Sequence, residues 1–130
     1  MKFSTLGLNT SLEQAIEACG YSEMTPVQEL SIVKARRGKD LLVHAQTGTG
    51  KTAAFGLPVL QQMLDTPKET ISSSPRALIL TPTRELAEQL AEAIGSYAQF
   101  TSLTVTAVYG GVKMAGQMSK LKQGIDVLIS

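Results

Sequence analysis

Four short apolar runs divide this chain, and segments with helical spacing lie between them. The runs are DLLVHA (40–45), RALILT (76–81), LTVTAVY (103–109) and DVLIS (126–130). Nearly continuous apolar runs of this length are typical of parallel strands that helices cover on both faces. Because consecutive parallel strands need a crossover connection, the alternation predicts an α/β fold with a parallel sheet flanked by helices.

Helices are predicted before and between these runs, at 12–19, 25–37, 51–64 and 84–98. Pro58 lies inside the third helix and is expected to bend or divide it, because proline has no N–H to donate. Met114, Met118 and Leu121 have the spacing of one apolar helix face, and we expect these methionines to fill core space. The polar stretch at 65–75 is predicted to be a surface loop.

The composition is that of a single globular unit. A chain of 130 residues with 43% hydrophobic residues can bury a core and is not disordered. The formal net charge of +1 neither favours nor excludes a nucleic-acid partner, so any basic binding surface must be local. The single cysteine, Cys19, excludes an internal disulfide. Without a signal peptide or a long apolar stretch, a soluble cytoplasmic protein that does not enter a membrane is expected.

A glycine-rich loop follows the first apolar run directly. Its sequence is AQTGTGKT, formed by Ala45, Gln46, Thr47, Gly48, Thr49, Gly50, Lys51 and Thr52. Glycine lets backbone N–H groups approach an anion closely, and the N-terminus of the next helix adds a favourable dipole. Lys51 suits the outer phosphates of a nucleotide, and the Thr52 hydroxyl suits Mg²⁺. Although Ala45 replaces the glycine that usually opens this pattern, the position between strand and helix favours a phosphate site over a turn without a ligand.

A second motif, GYSEMTPVQ, occupies residues 20–28. Thr25 and Gln28 have the spacing of a helix-capping box, with proline at the first helical position. The Gln28 amide has a donor and an acceptor that also match the edge of an adenine base. Local chemistry favours the capping interpretation, although capping does not explain the aromatic residues Tyr21 and Phe3 nearby.

Two further motifs follow the second and third apolar runs. TPTRELAEQL places Pro82, Thr83 and Arg84 at the start of a helix, and YGG places Gly110 and Gly111 after a strand. Each motif alone is compatible with an ordinary strand–helix junction or a tight turn. Because the carboxyl ends of parallel strands meet at one edge of a sheet, these residues are expected near the glycine-rich loop, where they can hold a phosphodiester backbone.

Taken together, these motifs resemble those of the DEAD-box family of ATP-dependent RNA helicases, in the family's order and over nearly the whole chain. Phe3 resembles the family's isolated upstream aromatic, GYSEMTPVQ its Q motif, and AQTGTGKT its motif I, in which alanine is usual at the first position. PTRELA resembles motif Ia, and Gly110–Gly111 the GG element. The resemblance implies a RecA-like P-loop fold, ATP and Mg²⁺ as cofactors, and RNA as the partner.

The resemblance also implies roles for individual residues. Gln28 would bind the adenine while Thr25 caps the helix, with Phe3 and Tyr21 near the base. Lys51 and Thr52 would serve catalysis, and the residues of motif Ia and the GG element would bind RNA.

The family pattern continues with a D-E-A-D motif and a second RecA-like domain, which these residues do not include. The resemblance therefore implies part of the first RecA-like domain, incomplete at its C-terminus, with a Q-motif region at 1–38 and a βα core at 39–130. We expect the parent protein to couple ATP hydrolysis to RNA unwinding, and this segment to bind nucleotide at most. Two alternatives are a small-molecule kinase or transporter ATPase, which needs neither PTRELA nor the Q motif, and a non-enzymatic nucleotide-binding module.

Overall fold

The computed structural model describes residues 1–67, 74–110 and 114–130. These residues form a short 3-10 helix (Phe3–Leu6), five α-helices and three β-strands. The α-helices are α1 (Thr10–Ala18), α2 (Pro26–Arg36), α3 (Lys51–Asp65), α4 (Arg84–Tyr97) and α5 (Met114–Gln123). The strands are β1 (Ala77–Ile79), β2 (Val105–Ala107) and β3 (Val127–Ile129).

The three strands form one parallel sheet in the order β1-β3-β2. Val127 of the central strand β3 pairs in register with Ala77 on one side and Val105 on the other. The Val127 and Ile129 side chains of β3 are fully buried, and α4 packs against this strand. The predicted α/β fold with a parallel sheet and flanking helices is confirmed.

The strand predicted at 40–45 is wrong. Residues 39–46 form neither helix nor strand, and the Leu42 side chain is fully exposed. A parallel strand is held by hydrogen bonds to a neighbour, and none of the described strands pairs with this segment. An apolar run shows that a segment is suited to burial, but it does not provide the partner strand.

The helical core is built around α3, which packs against α2 and α4. Leu57 and Leu60 of α3 are fully buried, together with Ile32 of α2 and Ile94 of α4. α3 continues without a break through Pro58, so of the two expected effects, bending or division, the division does not occur. The buried leucines on both sides of the proline offset the one intrahelical hydrogen bond that it lacks.

The helix predicted before the last strand is confirmed as α5, but Met118 does not fill the core. The Met118 side chain is 48% exposed, and none of the described α5 side chains belongs to the buried cluster. Residues 68–73 of the predicted loop lie outside the described ranges. None of the described helices combines the length and apolarity needed to cross a membrane.

Candidate functional site

The glycine-rich loop turns tightly into the N-terminus of α3. Gly48 and Gly50 have positive φ angles of 84° and 89°, which L side chains rarely adopt. Lys51 Nζ donates a hydrogen bond of 2.6 Å to the Ala45 carbonyl oxygen, and Thr49 Oγ1 donates one of 2.6 Å to Gln46 O. Because an ammonium has three hydrogens, the bond to Ala45 holds Lys51 over the loop without using all its donors.

Thr25 and Gln28 form the capping box that the sequence predicts. Gln28 Oε1 accepts from the Thr25 backbone N–H at 2.9 Å, and Thr25 Oγ1 accepts from the Gln28 N–H at 3.5 Å. The Gln28 side chain is buried, although glutamine is usually exposed. The capping interpretation of this motif is therefore confirmed.

The same two side chains also bind the glycine-rich loop. Thr25 Oγ1 donates to the Thr49 carbonyl oxygen at 2.7 Å, and Gln28 Nε2 donates to the Gly50 carbonyl oxygen at 3.1 Å. A Cβ atom added at Gly50 would lie 2.3 Å from Gln28 Nε2. Sequence reasoning missed these contacts, because nothing in either motif alone indicates that it touches the other.

The Q motif and the loop line one cavity of about 930 Å³. Its walls include Thr47, Gly48, Gly50, Lys51 and Thr52 from the loop, Thr25 and Gln28 from the Q motif, and residues 78–81 at the end of β1. Phe3 and Tyr21 complete one side, with ring centroids 6.1 Å apart and planes 23° apart. Nine of the twelve residues predicted to bind nucleotide therefore line this cavity, while Ala45, Gln46 and Thr49 of the loop do not.

Tyr97 of α4 extends the aromatic cluster inward. Its ring centroid lies 6.2 Å from that of Tyr21. Burial, together with a hydrogen bond to Tyr21, raises the pKa of Tyr97, so this phenol stays neutral. Phe3 is buried and Tyr21 is 42% exposed, so Tyr21 offers more open aromatic surface than Phe3.

A second group of predicted residues lies where α4 begins. Thr83 caps α4, because its Oγ1 accepts from the Leu86 N–H at 3.2 Å. Pro82, Thr83 and Arg84 are exposed, as is Gly110 beyond β2. The Arg84 guanidinium lies over the Tyr109 ring, 6.0 Å from its centroid, which brings the motif before α4 beside the one after β2. The predicted residue Gly111 lies outside the described residues.

Comparison with known proteins identifies the family. The DEAD/DEAH box helicase model matches residues 25–130. The chain belongs to the DEAD/DEAH box helicase family. Among relatives of this helicase segment, the ATP-dependent RNA helicase CshA of Limosilactobacillus reuteri is 46% identical over 129 residues, which are 99% of this chain and 25% of the relative. The DEAD-box ATP-dependent RNA helicase CshA of Streptococcus pneumoniae is 43% identical over 99% of this chain and 24% of its own.

Solved helicases share the fold. The RNA-helicase Prp28 from Chaetomium thermophilum, bound to ADP, superimposes with a TM-score of 0.86 at 36% identity over 95% of this chain and 30% of its own. A hypothetical ATP-dependent RNA helicase from Sulfolobus tokodaii gives a TM-score of 0.81 at 32% identity, over 95% and 34%. The predicted RecA-like P-loop fold is thereby confirmed. The DEAD/DEAH box segment spans about a quarter of the length of the curated relatives it matches.

Proposed function

We propose that this chain forms the ATP-binding part of the first RecA-like domain in an ATP-dependent RNA helicase. In this proposal, residues 1–38 form the Q-motif region and 39–130 the βα core. The observation that carries the proposal is the pair of hydrogen bonds from Thr25 and Gln28 to the carbonyl oxygens of Thr49 and Gly50. These bonds hold the Q motif beside the phosphate-binding loop in one cavity. A site for an adenine nucleotide requires this arrangement, because the base and the phosphates of one molecule must be bound together.

The loop would bind the phosphates. Backbone N–H groups of a loop at a helix N-terminus suit an anion, and Lys51 would add its positive charge at the outer phosphates. The Thr52 hydroxyl is a hard oxygen donor of the kind Mg²⁺ prefers, and Mg²⁺ at nucleotide sites takes its other ligands largely from phosphate and water. Since none of the described residues form a cluster of three or more His, Cys, Asp or Glu, the ion would bind together with the nucleotide.

Gln28 would bind the adenine base. An amide has two N–H donors and an oxygen with two lone pairs. One donor is used for Gly50 and one lone pair for Thr25. The remaining donor and lone pair match the ring nitrogen and the amino group at the edge of adenine. The exposed ring of Tyr21, or less directly Phe3, would lie on or near the base.

RNA would bind along the residues that precede and begin α4, and along Gly110–Gly111. The exposed Pro82, Thr83 and Arg84 offer a helix N-terminus and a guanidinium to phosphate oxygens. Such contacts hold the sugar–phosphate backbone without identifying bases, so we expect binding to be nearly independent of sequence.

Hydrolysis and unwinding would belong to the longer protein. Phosphoryl transfer requires positioning of the metal and the water together with stabilisation of the developing charge. In this proposal Lys51 and Thr52 supply part of that set, and a second RecA-like domain of the same protein supplies another part. We expect the 130-residue chain by itself to bind nucleotide without productive hydrolysis.

The decisive experiment measures ATP hydrolysis by the longer protein with and without single-stranded RNA. We expect RNA to stimulate hydrolysis, and Lys51→Ala to abolish the stimulated rate. Lys34→Ala, which changes an exposed lysine of α2, is the matched control and should retain activity. Hydrolysis that is indifferent to RNA would favour a small-molecule kinase or transporter ATPase, and absence of hydrolysis in the longer protein would favour a non-enzymatic nucleotide-binding module.

A further inference from the structure

Tyr109 lies between two oppositely charged side chains of α4. Arg84 and Glu88 are one helical turn apart, a spacing at which such side chains commonly form an ion pair. Arg84 and Glu88, however, do not form an ion pair, which requires a nitrogen–oxygen distance within 4.0 Å. Among the described residues, such a pair joins the Met1 amino group to Glu29. Instead, the Tyr109 hydroxyl donates a hydrogen bond of 2.6 Å to Glu88 Oε1, and the Tyr109 ring faces the Arg84 guanidinium.

Both ends of Tyr109 are held by neighbouring helices. Its backbone N–H donates to Gln117 Oε1 of α5 at 2.7 Å, while its hydroxyl is held by Glu88 of α4. The hydrogen bond to the Glu88 carboxylate raises the pKa of Tyr109, so the hydroxyl retains the proton that it donates. Tyr109 is therefore held at its backbone by α5 and at its hydroxyl by α4.

The contact between ring and guanidinium leaves Arg84 able to bind an anion. A cation–π contact uses the face of the ring and does not consume the N–H groups of the guanidinium fork. An ion pair with Glu88 would instead direct those donors to a carboxylate, in competition with a phosphate.

We propose that Tyr109 is a positioning residue for RNA binding. Its hydroxyl hydrogen-bonds the Glu88 carboxylate and its ring holds the Arg84 guanidinium by a cation–π contact, so that the guanidinium does not pair with Glu88 and remains available to the phosphate backbone. This inference rests on the proposed contact between Arg84 and RNA. It extends the RNA-binding surface to a residue whose own side chain need not touch RNA.

The test measures the affinity of the longer protein for two unrelated fluorescent single-stranded RNAs, in the presence of a non-hydrolysable ATP analogue. Tyr109→Ala should weaken both affinities by about two- to fivefold, the range of an exposed cation–π contact. It should cause no further loss in a protein that already carries Arg84→Ala. Phe100→Ala, which truncates an exposed aromatic side chain elsewhere, is the matched control and should leave RNA affinity unchanged.

A second set of variants separates positioning from general structural support. Tyr109→Phe retains the ring and releases Glu88 to pair with Arg84, so RNA affinity should fall. Adding Glu88→Gln removes the competing charge and should restore the affinity. Unchanged thermal unfolding and ATP-analogue affinity in Tyr109→Phe would show that the fold is intact.

The outcomes distinguish the inference from the proposed function. If Arg84→Ala leaves RNA affinity unchanged, the proposed RNA contact is wrong and the role of Tyr109 is wrong with it. If Arg84→Ala weakens binding, three results would overturn only the role of Tyr109: no loss in Tyr109→Ala, a loss that adds fully to that of Arg84→Ala, or no recovery when Glu88→Gln is added to Tyr109→Phe.

Discussion

The side-chain nitrogen of Gln28 lies 3.1 Å from the carbonyl oxygen of Gly50 and donates a hydrogen bond to it. The two residues belong to different motifs, one at the start of α2 and the other at the start of α3. The bond makes the shape of the phosphate-binding loop depend on a helix cap 22 residues earlier in the chain. Substitutions on either side of the bond should therefore affect both stability and nucleotide binding.

Gly50→Ala should destabilise the protein more than Gly48→Ala. Both glycines have positive φ, so each substitution introduces backbone strain of about 1–2 kcal/mol. Only at Gly50 would the new Cβ collide with Gln28 Nε2, while a Cβ at Gly48 meets no atom within 4 Å. Thermal unfolding and ATP titration of the two variants check this, and equal effects would contradict the close contact.

Gln28→Ala should lower the free energy of unfolding and remove the preference for ATP over GTP. The variant loses one partner of the capping box, worth about 1 kcal/mol, as well as the tether to Gly50. Competition against a fluorescent nucleotide measures selectivity, and denaturant unfolding measures stability. A folded variant that still prefers ATP would limit Gln28 to capping and tethering.

Gln28→Glu serves as the partner variant. It retains an oxygen for the Thr25 N–H but has no N–H for the Gly50 carbonyl or for a ring nitrogen of adenine. We expect it to retain more helix-capping stability than Gln28→Ala, yet to bind ATP as weakly. If Gln28→Glu binds ATP with normal affinity, the N–H donors of the Gln28 amide do not contribute to nucleotide binding.

Lys51→Ala should weaken the binding of ATP and ADP far more than that of adenosine. A charge-assisted hydrogen bond contributes about 1.5–3 kcal/mol, roughly a 10- to 150-fold change in affinity, and in this proposal the phosphates are the only part of the nucleotide that Lys51 contacts. Calorimetric titration of the three ligands checks the order, with Lys34→Ala as the control that should match the wild type. Equal losses for all three ligands would mean that Lys51 supports the loop instead of binding phosphate.

Leu57→Ala should lower the free energy of unfolding by about 2–5 kcal/mol, because it leaves a cavity at the centre of the helical core. Leu57 of α3 is fully buried, whereas Leu30 of α2 is 66% exposed. Leu30→Ala is therefore the matched substitution, and its effect should stay within about 0.5 kcal/mol. Urea unfolding followed by circular dichroism compares the two, and similar losses would contradict the assignment of the core.

The sequence predicts local features of this molecule well and contacts between distant segments poorly. The capping box of Thr25 and Gln28 is predicted correctly because the residues that form it are three positions apart. The bonds from that box to Thr49 and Gly50 depend on how α2 packs against α3, which no spacing within either motif encodes. The contact of Arg84 with Tyr109 is of the same kind.

The two apolar runs at 40–45 and 76–81 show that apolar composition alone does not predict a strand correctly. Both have the composition of a buried strand, yet only the second contains one, because Ala77, Leu78 and Ile79 pair with β3. Composition reports what a segment gains from burial, whereas strand formation requires a neighbour at the correct position.

The segment at 39–46 pairs with none of the described strands, and this affects how well its backbone amides are protected from hydrogen exchange. Thr49 and Gly50, which follow this segment, accept hydrogen bonds from Thr25 and Gln28 at the start of α2. None of the described strands connects the segment to the sheet. In deuterium exchange, the amides of Leu41 and Val43 should therefore exchange within the earliest time points, and those of central strand β3 among the last. The phosphate-binding loop would then acquire its protection together with the helices and independently of the sheet.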